Sequence, residues 1–151
     1  MTDPLADPWI DAQVRPGPLH YEPLPWPESC GAEAVFIGRS RAERHAEHGE
    51  LISLEYEGYP QMMGPLLHRM ALRAAREHRL HAVRAWHALG LVPLGGASVV
   101  VQCAAGHRAE AFAGCRWLID ELKRSLPVWK RERWASGWTR VEGVTPGPAG
   151  D

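Results

Sequence analysis

The spacing of apolar and polar positions changes several times along the chain, and each change marks an element. Seven of the 13 prolines fall in the first 27 residues, with Pro23, Pro25 and Pro27 close together. A helix cannot form there, so residues 1–30 are expected to be an extended lead-in, with Trp9, Ile10 and Val14 in one short edge strand. Gly31 to Arg41 (GAEAVFIGRSR) reads as a strand through Phe36 and Ile37, and Gly38 leaves room for close approach to the backbone. The charged run Ala42 to Glu50 has no apolar anchor and predicts a mobile loop. Leu51 to Tyr59 is the returning strand, with Ile52, Leu54 and Tyr56 on one face.

At Pro65 the period becomes 3.6, and Leu66, Leu67, Met70, Ala71 and Ala74 predict a helix starting at that proline. Strands are predicted over Ala82 to Gly90 and Ala97 to Ala104, joined by a turn from Val92 to Gly96. A second helix is expected from about His107 to Arg124, with Phe112, Cys115, Leu118, Ile119 and Leu122 as its buried stripe. Pro127 ends it, and Val128 to Glu132 continue extended. The pattern is that of an α+β domain, followed by a flexible tail over residues 141–151.

A length of 151 residues suits one compact domain. Charges interrupt every apolar run before the roughly 20 residues a spanning helix needs. Asp3 and Asp7 occupy an N-terminus without a basic segment, so no secretory signal is expected. Cys30, Cys103 and Cys115 form neither a CxxC pair nor an even-numbered framework. These features point to a reduced, cytoplasmic protein. A formal net charge of −1 argues against a protein that grips nucleic acid. The total conceals a gradient: residues 1–60 hold 4 basic and 11 acidic side chains, whereas His107 to Arg140 hold 8 and 4. That local basic region suits a small anionic ligand or an acidic partner surface.

Of the 17 basic residues, 15 are Arg and only Lys123 and Lys130 are Lys. Where positive charge alone is needed Arg serves, while a lysine amine can also deprotonate or be acylated. The two lysines flank the helix break at Pro127, which allows both amines to face one cleft. Two ammonium groups held close repel, raising the fraction of free amine; two solvated lysines are the commoner outcome for such a pair. Gly106-His107-Arg108 lies where a strand gives way to a helix, a place where free backbone N–H groups and the helix dipole favour phosphate or carboxylate. Ordinary helix capping with a solvated Arg explains those three residues equally well. The pairs His45/His48 and His78/His81 lack a third ligand at a convincing spacing, and no metal is expected. Cys103 and Cys115 read as buried small hydrophobes. Trp117, Trp129, Trp134 and Trp138 gather near the basic region, for packing or for stacking on a flat heterocycle.

The segments FIGRSR, LEYEGYP, GGASVVV, GHRAEAFAGCRWLIDELK and PVWKRE, in this order, resemble the MoaE family, the large subunit of molybdopterin synthase. The resemblance covers about residues 31–140, taken as the catalytic domain. It implies an α/β-hammerhead-like fold with antiparallel strands and two main helices. It also implies a homodimer within a heterotetramer, each large subunit binding a small ubiquitin-like, MoaD-like partner whose Gly-Gly tail ends in a thiocarboxylate. The implied reaction is sulfur transfer to cyclic pyranopterin monophosphate, with no cofactor, nucleic acid or membrane. Substrate-binding positions carry over to Arg39, Ser40, Arg41, His107, Arg108, Lys123, Lys130, Arg131 and Glu132, and the catalytic role to Lys123 and Lys130. A non-catalytic paralogue that binds the small subunit or a phosphorylated pterin is the alternative. Two departures stand out: family members commonly read HR.G where this chain has His87-Ala88-Leu89-Gly90, and an often acidic turn position is Gly96.

Overall fold

The computed structural model describes residues 7–141, so all but Val141 of the tail expected over 141–151 lies outside the described residues, and Val141 itself ends a strand. In chain order the elements are β1 (Trp9–Pro16), β2 (Ala32–Arg39), β3 (Arg44–His45), β4 (Gly49–Gly58), α1 (Pro60–His78), β5 (Leu80–Pro93), β6 (Ala97–Ala105), α2 (Arg108–Ser125), β7 (Val128–Trp134) and β8 (Gly137–Val141). This is the α+β architecture expected, with two helices on a mainly antiparallel sheet.

The long strand β5 organises it. Its first half pairs antiparallel with β6 and parallel with β1, and its last four residues pair with β4. The changeover comes at Gly90, whose φ of +82° is readily adopted only without a Cβ. One strand thus serves two sheets, β2-β6-β5-β1 and β5-β4-β7-β8. Along β5 and β6 successive side chains alternate faces. Val83, Ala85, Val101, Cys103 and Ala105 point toward the buried faces of α1 and α2. Arg84, Trp86, Ala88, Val100 and Gln102 point the other way, where Leu19, Leu24 and Cys30 of the segment between β1 and β2 cover part of that face.

Several details differ from the sequence pattern. α1 begins at Pro60, not Pro65, because Pro60 already has the φ of a first helical turn and the Tyr59 carbonyl accepts the Met62 and Met63 N–H groups. The segment expected to be a mobile loop contains β3, whose Arg44 and His45 pair with Glu50 and Gly49 of β4. Ile52 is exposed while Leu51 and Leu54 are buried, because the ladder slips at Leu51/Ser53. β5 runs on to Pro93, which confines the turn to residues 94–96. Phe112 is 66% exposed: the stripe of α2 that meets the sheet is Ala111, Cys115, Leu118, Ile119 and Leu122, and Phe112 is displaced from it around the helix.

Gly114 lets α2 approach the start of β5. A Cβ there would lie 2.7 Å and 2.9 Å from the two δ carbons of the fully buried Leu80. Gly114→Ala is therefore expected to destabilise the fold by about 1–3 kcal/mol despite the better helix propensity of alanine. Urea denaturation reads this directly, and a variant as stable as the parent would show that the helix shifts without cost.

Candidate active site

The two lysines predicted to share a cleft do so. Lys123, near the carboxyl end of α2, and Lys130, on β7, line both of two adjoining cavities, together with Tyr56 of β4 and Ser98 and Val99 of β6. Local chain geometry explains the meeting. Pro127 cannot extend α2, the cap residue Leu126 is already extended (φ −76°, ψ 121°), and β7 turns back along β4 with Lys130 opposite Tyr56.

The outer cavity, about 350 Å³, is polar and basic. Arg39, Ser40 and Arg41 enter from the end of β2, and Glu43 and Glu132 are its acidic members. With Lys123 and Lys130 the formal balance is four positive to two negative groups. The 39–41 segment is held by the turn after β5: Arg39 Nη1 donates to the Gly95 carbonyl at 3.1 Å, Ser40 Oγ to the Pro93 carbonyl at 3.3 Å, and Gly95 N–H to Ser40 Oγ at 3.0 Å. Among the described residues Arg41 pairs only with Glu43, at 3.1 Å in an exposed contact weak enough to yield to an incoming anion. Glu132 accepts a hydrogen bond from Thr139 Oγ1 at 3.1 Å, and the same hydroxyl accepts one from Trp134 Nε1 at 2.8 Å. The inner cavity, about 180 Å³, is smaller and lined mostly by apolar side chains, including Ile119, Leu122 and Val128.

Three expected site residues are elsewhere. His107 and Arg108 are exposed at the amino end of α2, and His107 makes no side-chain cap bond. Lys123 is fifteen helical steps beyond Arg108, or roughly 22 Å along the axis. Arg131 points away from Lys130 and Glu132, as alternation along β7 requires, and stacks its guanidinium 4.3 Å above Trp138. The tryptophans do not form one cluster: Trp134 is buried, Trp138 lies under Arg131 and Arg133, and Trp117 lies under Arg73. Cys103 and Cys115 are buried and share a hydrogen bond that, with burial, holds the Cys103 thiol protonated.

Sequence reading missed Tyr56, His87 and Ser98 as site residues. Their signal was faint, because each stands among other polar residues of its strand with nothing to single it out: Ser53 and Glu55 beside Tyr56, His81 and Arg84 before His87, Gln102 after Ser98. His87 faces the inner cavity, and burial, then the nearby Lys123 charge, push its ionisation down against a backbone hydrogen bond that raises it. The departures from the family motif also have local reasons. Ala88 is fully buried and pairs across the sheet with Arg15, whose guanidinium lies 4.1 Å over Trp86. At Gly96 a Cβ would come within 2.8 Å of the Pro93 carbonyl, so no side chain fits the turn as it is folded. Among the described residues, no group of three or more His, Cys, Asp or Glu is arranged to hold a metal, and no helix is long and apolar enough to cross a membrane.

The family model for the MoaE protein matches residues 17–125. The molybdopterin synthase catalytic subunit of Culex quinquefasciatus is 40% identical over 112 residues, covering 73% of this chain and 69% of that protein. That of Pyrococcus abyssi is 34% identical over 115 residues, covering 76% of both. The chain spans about half the length, 55%, of the Emericella nidulans and rice relatives. The fold matches the crystal structure of molybdopterin synthase from Staphylococcus aureus with a TM-score of 0.79 and 22% identity, over 86% of this chain and 96% of that one. A complex of subunits 1 and 2 of molybdopterin-converting factor from Helicobacter pylori matches at 0.60 and 20% identity, over 76% and 73%.

Proposed function

Because the chain belongs to the MoaE family, we propose that it is the catalytic subunit of a molybdopterin synthase, an enzyme of molybdenum cofactor biosynthesis. In this reading a small ubiquitin-like partner presents a C-terminal thiocarboxylate, and its sulfur is transferred to cyclic pyranopterin monophosphate to build the dithiolene. The observation that carries the proposal is the junction of two cavities at Lys123 and Lys130. The outer, basic cavity suits a phosphorylated pterin, with Arg39, Ser40 and Arg41 at its anionic end. The inner cavity suits a Gly-Gly tail, which has no side chains to exclude. Lys123 then stands where tail and pterin meet, stabilises charge developing on the thiocarboxylate, and moves a proton. Lys130 serves phosphate loss or proton transfer on the pterin. The partner brings the sulfur, so the buried cysteines have no part in the transfer.

His107 and Arg108 belong to this reading only through a second copy of the chain. No Arg side chain reaches back some 22 Å, so in a homodimer the amino end of α2 from one subunit would complete the cavity of the other. Two such subunits and two small partners make the heterotetramer.

The test is a reconstituted reaction of this protein, a thiocarboxylated small subunit and cyclic pyranopterin monophosphate, with dithiolene product quantified. Wild type is expected to turn over, and Lys123→Arg and Lys130→Arg, which keep the charge, to lose on the order of 10²-fold or more if the amine itself reacts. Charge-preserving variants with full activity would reduce the lysines to anchors. An inactive wild type that still binds its partner would favour a non-catalytic paralogue.

A further inference from the structure

One polar side chain of the inner cavity has no task in the reaction proposed above. His87 is only 8% exposed, and its ring shares the cavity with Tyr56, Lys123 and Lys130. Its Nδ1 lies 2.8 Å from the carbonyl oxygen of Ala88. A carbonyl only accepts, so Nδ1 carries the proton and Nε2 of the neutral ring keeps a lone pair. Tyr56 packs edge-on against the ring at 5.3 Å and fixes its plane. Among the described residues the ring makes no other hydrogen bond, which leaves Nε2 to the cavity.

We propose that His87 is a positioning residue for Lys123: its Nε2, which bonds nothing in this structure, accepts one N–H of the ammonium when the cavity is filled, so that the other two point at the reacting groups. The proposal rests on the reading of Lys123 as the reacting amine. The surroundings favour a neutral acceptor there. The ionisable groups facing the ring are Tyr56 from β4, Lys123 from α2 and Lys130 from β7. β6 presents Ser98 and Val99, and β1 pairs Val14 beside it. Among the described residues no carboxylate lines this cavity to stabilise an imidazolium, and a charged ring would oppose two ammonium groups. Burial and the Lys123 charge accordingly keep the ring neutral to below the ordinary histidine range. The sign follows: the acceptor is present above the lowered pKa and is lost as pH falls through it.

Two measurements test this, one of them independent of activity. NMR of ring-labelled histidine should show the His87 titration moving up in Lys123→Met, since its nearest opposing charge is gone; an unmoved titration would overturn the contact. In the reconstituted reaction His87→Gln retains an acceptor that does not titrate. It should hold kcat within about threefold of wild type at pH 8 and lose the acid limb of the pH profile. His87→Leu should lower kcat by on the order of 10- to 100-fold with little change in KM for the small subunit. An unchanged acid limb in His87→Gln, or wild-type kcat in His87→Leu, would sink the assignment. If His87→Leu fails to fold, the Gln variant and the NMR titration decide. Should wild type make no product, the proposed reaction fails, and the titration still decides the His87–Lys123 contact.

Discussion

An equimolar mixture of Lys123→Ala and Arg108→Ala proteins, allowed to exchange subunits, should regain about a quarter of wild-type turnover although neither variant alone turns over appreciably. The figure comes from geometry. α2 holds Arg108 and Lys123 at opposite ends, roughly 22 Å apart, so a pocket using both draws them from different chains. In a mixed dimer one pocket carries both substitutions and the other carries neither. Random exchange makes about half the dimers mixed, and half the pockets in those are intact. If instead each chain served its own pocket, mixing would leave the activity at the mean of the two variants. Dithiolene formation in the reconstituted reaction, before and after an exchange step, separates the outcomes. Lys123→Ala mixed with Lys130→Ala is the control: both lysines line the cavities of the same chain, so every mixed dimer has one substitution in each pocket and no recovery is expected.

That distance shows what a linear sequence conveys and what it does not. The pairing of Lys123 with Lys130 was legible because only a proline-broken helix end separates them, and a break of that kind folds the chain back on itself. The strand-to-helix junction made His107 and Arg108 candidates for an anion site, but their distance from the lysines depends on an unbroken α2 read as a rigid rod. Strands were found by their alternation and misplaced by a residue or more where a bulge shifts the register, as at Leu51/Ser53. Phe112 was assigned to the buried stripe because hydrophobicity marks a helix face only to within a residue or so, and the exposed result places it beside edge strand β2 in a shallow groove with Val35 and Cys115. His87 was the least legible. An isolated histidine in an Ala- and Val-rich strand reads as a core residue, and only the bend of β5 at Gly90 and the packing of β4 bring Tyr56 and the lysines around it.

The largest expected loss of stability comes from Asp11→Ala, at about 3–5 kcal/mol, although the position is far from the chemistry. Asp11 lies on β1 opposite Arg84 of β5, and the pair is mostly withdrawn from water, with side-chain exposures of 14% and 7%. Arg84 Nε donates to Asp11 Oδ2 at 2.8 Å, and its Nη1 donates to the Glu22 carbonyl at 2.7 Å and to Gln102 Oε1 at 3.1 Å. The guanidinium is stacked 4.4 Å from Trp86 and 5.4 Å from Trp9. The same carboxylate oxygen accepts the Trp86 indole N–H at 3.1 Å. Removing it therefore strands a buried cation and a buried donor together, and neither can turn to water while Glu22 and Pro23 close over the site. Arg84→Met removes the cation, so Asp11→Ala added to Arg84→Met should cost far less than Asp11→Ala alone. A double-mutant cycle by urea denaturation, run at one protein concentration so that any subunit association is held constant, isolates that coupling. Equal costs in both backgrounds would mean that the strand and the covering segment are held by apolar contacts alone. A large coupling means that one ion pair fastens β1 and the residues after it to β5, the strand that three residues later carries His87 into the cavity.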